Sequence, residues 1–123
     1  MNLLKEVERQ EKTAKEFGFY WESIEQLIEQ IISECHEIDD AYRKGDKKHL
    51  QEEIGDLMGA AVSIAVFCGF CPSDTLKQSI DKFQKRYDTL VDLVKQDGRS
   101  NLKNQSFNLL MDYWKKAKSQ SLN

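Results

Sequence analysis

"IEQLIEQIISECHEIDDAYR", Ile24 to Arg43, is the stretch on which the fold turns. Ile24, Leu27, Ile28, Ile31, Cys35, Ile38 and Tyr42 recur at steps of three and four, the repeat of one face of an amphipathic helix. The spacing predicts a helix from near Trp21 to about Arg43, ended by "RKGD" with Gly45 as its C-cap. Inside that stripe stands an acid, Glu34, three residues after Ile31 and four before Ile38.

Working outward, Leu3 to Phe17 reads as a first helix with a looser apolar pattern of Val7, Ala14 and Phe17. After Gly45, Lys48 to Phe70 reads as a third helix, amphipathic at first and then apolar nearly all round in "LMGAAVSIAVF", so burial on most of its faces is expected. Pro72 ends it, and Ser73 or Asp74 is expected to cap a fourth helix carrying Leu76, Ile80, Phe83, Tyr87, Leu90, Val91 and Val94 as far as Asp97-Gly98. Beyond the polar "GRSNLKNQS", a short last helix presents Phe107, Leu110, Met111 and Trp114 on one face. Long amphipathic helices on short connections predict an all-α antiparallel bundle.

Composition agrees with that class. The chain has 123 residues, about one domain, with 40% hydrophobic and 32% charged residues, one Pro and 6 Gly. Turn residues are too few for a sandwich or barrel, and the charge and apolar content do not resemble a disordered tail. A single domain over residues 1–123 is expected. The longest apolar run, Leu57 to Cys71, is shorter than a bilayer crossing requires, and the opening "MNLLKEVERQ" does not read as a signal peptide, so a cytoplasmic protein is expected. Three Cys are read as reduced thiols.

Net charge is −3, too small to imply nucleic-acid or membrane binding, but it is unevenly spread. Residues 22–56 hold 11 Asp/Glu against 4 Lys/Arg, and residues 74–118 hold 6 against 10. That polarity suits a self-complementary fold, or a site with a cation on one wall and a polyanion on the other.

Glu34 and Glu37 are three apart, as are Glu53 and Asp56. On a helix this step puts side chains about 60° apart around the axis and about 4.5 Å along it, so each pair shares a face. Carboxylates turned inward without partners either take up protons or oppose folding. A hard divalent cation, Mg²⁺ or Mn²⁺, resolves that conflict with all-oxygen ligands. The competing reading is a pair of solvated acidic faces, and periodicity alone leaves both open.

Other residues carry a functional and an ordinary reading side by side. Zinc needs more Cys or His at ligand spacing than Cys35, His36 and the distant His49 provide. Cys35 reads as a small core residue, and His36 as a surface group or one that supports a ligand from behind. "CGFC", Cys68 to Cys71, copies a redox spacing but ends a helix without a βαβ context, so it reads as a helix terminus with two thiols. Lys82 with Arg86, and Trp114 with Lys118, lie one turn apart on their helices. Such pairs can clamp a triphosphate and stack on a base, or can be ordinary solvated cations and a core Trp.

Four motifs in order carry a family resemblance, from about Glu11 to Lys118. They are "AKEFGFYW" before the second helix, "ECHE" followed after 15 residues by "EIGD", "DKFQKRY", and the closing "LLMDYWKKAK". The chain resembles the MazG-type nucleoside triphosphate pyrophosphohydrolases. The resemblance implies an all-α, Mg²⁺-dependent enzyme, usually a homodimer or larger. The apolar stripes on three long helices favour a four-helix core completed by dimerisation, with a tetramer as the alternative. The resemblance also implies hydrolysis of (deoxy)nucleoside triphosphates to the monophosphate and pyrophosphate. Glu34, Glu37, Glu53 and Asp56 would be metal ligands and catalytic groups, Lys82 and Arg86 phosphate contacts, and Trp114 with Lys118 contacts near base and triphosphate. Two departures stand out: Ser33 where many relatives carry a further Glu, and Ile80 where they carry Asn. Alternatives are a narrower dCTP, dUTP or phosphoribosyl-ATP hydrolase, or a non-catalytic helical interaction module.

Overall fold

The computed structural model describes residues 2–121, so Met1, Leu122 and Asn123 of the expected domain lie outside the described residues. These residues form five helices: α1 (Leu3–Phe17), α2 (Ile24–Lys44), α3 (Lys47–Phe67), α4 (Pro72–Gln96) and α5 (Phe107–Gln120). The class is all-α, with no strand among the described residues. Two compact units divide the chain, one up to Thr75 and one from Leu76, with the boundary inside the first turn of α4.

Local chemistry sets the helix ends. The side chains of Asn2, Ser23, Asp46 and Ser106 accept hydrogen bonds from backbone N–H groups in the first turns of α1, α2, α3 and α5, which satisfies donors that helical bonding leaves open. Helix α2 therefore starts at Ile24, the first residue of its apolar pattern and three residues after the expected start near Trp21, because Ser23 caps it. Gly45 ends α2 as expected, at φ 71° in the left-handed region that a side chain resists. Pro72 opens α4 rather than preceding it, since the first turn needs no N–H there; Ser73 and Asp74 lie within that turn instead of capping it.

In the first unit α3 packs against both α2 and α1. The side of α2 facing its neighbour is marked by Leu27, Glu34 and Ala41, a seven-residue repeat in which all three are buried. Ile24, Ile31 and Ile38, beside that line, are half-buried. Further round, Ile28, Ile32 and Tyr42 are exposed. Cys35 is exposed with them, which corrects its reading as a core residue: the apolar stripe is wider than the contact it makes, and Cys35 lies on its outer margin. For the same reason α3 is covered on only part of its surface. Ile54 and Met58 remain exposed despite their apolar surroundings in sequence.

A polar bond also ties α1 to α3. The buried Ser63 hydroxyl donates to the Glu11 carboxylate, and the Gly59 carbonyl lies 3.1 Å from the same oxygen. In the second unit, the Tyr113 hydroxyl donates to Asp97 at 2.6 Å, joining α5 to the end of α4, and Val94, Tyr113 and Ala117 are buried. Among the described residues, no single helix is long and apolar enough to cross a membrane.

Candidate metal centre

Helices α2 and α3 bring Glu34, Glu37 and Glu53 together. One carboxylate oxygen from each lies within 4.8 Å of the others, with Glu34 and Glu53 buried and Glu37 exposed at the open side. Asp56, one turn beyond Glu53, is exposed and stands outside this trio. Ser33 is exposed on α2.

The trio is electrostatically unfavourable by itself. Glu34 and Glu53 are only 6% and 8% exposed, and one oxygen of each, Oε2, is buried without a hydrogen-bond partner. Lone pairs withdrawn from water and left unpaired are costly, so such a pair calls for a ligand or a proton. Without a cation, hydrogen bonding with Glu34 and Glu37, then burial and their negative charge, push the Glu53 carboxyl up to about 8. Three acceptor-only side chains of this kind suit a hard divalent cation.

Two neighbours were not picked out as part of the site from sequence. Gln30, one turn before Glu34, donates through Nε2 to Glu34 Oε1 at 2.6 Å. His49, one turn before Glu53, holds Nδ1 3.7 Å from Glu53 Oε1. Both follow the i, i+4 relation that underlies the acidic pairs. That step back from each acid is the available signal.

Beside the trio, within the same unit, runs a cleft of about 1370 Å³ between α1, the Phe19–Glu22 connection, α2 and α3. Tyr20, Trp21, Glu11, Ser63 and Gln30 are among its walls, and the Lys15 ammonium lies 6.0 Å from the centre of the Tyr20 ring. His36 is exposed, as expected. Cys68 caps the end of α3, Cys71 precedes α4, and both are free thiols.

The basic candidates belong to the second unit. Lys82 is exposed and Arg86 half-buried, one turn apart on α4. Between them Phe83 meets the half-buried Trp114 of α5, ring centres 5.6 Å apart, so Trp114 lies beside the stretch of α4 that carries both cations. Lys118 is exposed one turn further along α5.

An all-α chain with paired acids on successive helices defines a class, and the sequence comparisons give it a name. Residues 22–103 match the family model of the MazG nucleotide pyrophosphohydrolase domain. The chain belongs to that family. It is 32% identical over 110 residues to the nucleoside triphosphate pyrophosphohydrolase/pyrophosphatase MazG of Thermotoga maritima, covering 89% of this chain and 42% of that protein. It is 24% identical over 114 residues to the nucleoside triphosphate pyrophosphohydrolase of Escherichia coli K12, covering 91% of this chain and 43% of that protein. The chain thus spans less than half the length of these relatives.

Proposed function

We propose that this protein is a Mg²⁺-dependent nucleoside triphosphate pyrophosphohydrolase, acting as a single catalytic domain that cleaves (deoxy)nucleoside triphosphates to the monophosphate and pyrophosphate. The observation that carries the reading is the convergence of Glu34, Glu37 and Glu53 with two buried, unpartnered oxygens among them. Family membership supports the reaction class. Mg²⁺, or Mn²⁺ in its place, is held by this trio, with Asp56 as a fourth ligand by the family's motif. When bound, the cation neutralises phosphate charge and raises the acidity of water at the site.

The chain's own residues do the rest. Water adds to phosphorus at the α,β-anhydride, the bridging oxygen leaves with pyrophosphate, and Glu34 or Glu37 accepts the water's proton. The nucleoside half occupies the neighbouring cleft, where Tyr20 and Trp21 offer flat faces for a base. Lys82 and Arg86 stabilise charge on the phosphates, and Trp114 with Lys118 contacts the nucleotide; these assignments rest on the order of the family's motifs. Exposed apolar residues on α2 and α3, Ile28, Ile32, Ile54 and Met58, support assembly as a homodimer or a larger homo-oligomer.

The test is a panel of ribo- and deoxynucleoside triphosphates with Mg²⁺, products resolved by phosphorus NMR. Monophosphate and pyrophosphate in equal amounts are expected. Orthophosphate as the first product rejects the reaction, while turnover confined to dCTP, dUTP or phosphoribosyl-ATP narrows the substrate.

A further inference from the structure

We propose that Gln30 is a positioning residue: its side-chain amide holds Glu34 so that one carboxylate oxygen is spent on the protein and the other is left for the cation. This inference rests on the metal-centre reading above. Gln30 Nε2 donates to Glu34 Oε1 at 2.6 Å, and it is Oε2 of the same carboxylate that is buried without a partner. A side chain with free torsions and two equivalent oxygens becomes one with a committed oxygen and a directed one.

The choice of residue type is chemically sensible. An amide donor orients the carboxylate without bringing a positive charge, so it does not compete with the cation as Lys or Arg would. Hydrogen bonds to metal-binding carboxylates typically change metal affinity by about 10- to 100-fold when removed. His49 stands in the same relation to Glu53, yet at 3.7 Å and 47% side-chain exposure it makes no comparable bond. Gln30 also forms part of the cleft wall, so the residue that fixes Glu34 is one that a cleft ligand can touch.

The experiment is a Mn²⁺ titration followed by electron paramagnetic resonance, without nucleotide, on wild type, Gln30→Met, Gln30→Asn and Asp39→Asn. Met matches the shape and lacks the donor; Asn keeps the amide but is one methylene too short to reach Glu34. Both are expected to weaken Mn²⁺ binding about tenfold, with helicity and apo melting temperature near wild type. Asp39→Asn, which removes a charge from the same helix outside the trio, is expected to change affinity less than twofold. If Gln30→Met fails to fold, Gln30→Asn decides. Wild-type affinity in the Gln30 variants, or an equal loss in Asp39→Asn, overturns this proposal and leaves the metal centre standing. A wild-type protein that binds no Mn²⁺ overturns the metal centre, and this proposal with it.

Discussion

Glu53 sits in a conflict between burial and charge, and its titration reports on it. Its carboxyl is held at about 8 in the folded chain, above the ordinary value of 4.5. A raised acid keeps its proton longer in the folded state, so the metal-free protein loses stability as pH rises from about 4.5 through about 8. Melting in the presence of a chelator should show that decline, and Mg²⁺ should offset it at the alkaline end, where the ligands are deprotonated. Glu53→Gln is expected to flatten the metal-free pH dependence and raise melting at pH 8 by a few degrees. It should also abolish the Mg²⁺-induced rise and lower kcat/KM by at least about 100-fold. A variant that keeps both activity and the Mg²⁺ response would remove Glu53 from the site.

At the scale of elements, the register of α2 against α3 decides whether the acids meet. Leu27 is fully buried seven residues before Glu34 and anchors that register. Leu27→Ala should cost about 2–5 kcal/mol by urea denaturation, with a lower Mg²⁺ response in the surviving fold. Ser23→Ala removes the cap of α2 and should cost about 1 kcal/mol; Gly45→Ala, forced into φ 71°, should cost a similar about 1 kcal/mol. Much of this was legible in the sequence. The three-four spacing marks α2, "RKGD" marks its end, and the acid inside the stripe marks the site. Cys35 and the start of α4 were less so. A stripe shows which residues are apolar but not how much of it a neighbour covers, and a Pro after a helix equally serves as the first residue of the next. Gln30 carries no signal of its own in the sequence, because glutamine is ordinary on a helix and only the burial of the carboxylate four residues away gives it a role.

For the molecule as a whole, the two compact units divide the chemistry. The first holds the acidic trio and the cleft; the second carries Lys82, Arg86 and Trp114 along one stretch. Charge patterning along the chain anticipates this division, because the acidic excess of residues 22–56 and the basic excess of residues 74–118 fall on different units. Exposed Ile28, Ile54 and Met58 predict self-association: sedimentation equilibrium should give at least twice the 14.3 kDa of one chain, and Ile54→Glu with Met58→Glu should shift it toward the monomer. A wild-type chain that sediments as a monomer at high micromolar concentration would contradict the oligomer. Whether three glutamates from α2 and α3 hold one cation is decided by anomalous diffraction from Mn²⁺-soaked crystals. A peak within coordination distance of Glu34, Glu37 and Glu53 is expected; a peak elsewhere, or none at saturating Mn²⁺, rules out a shared cation at this trio.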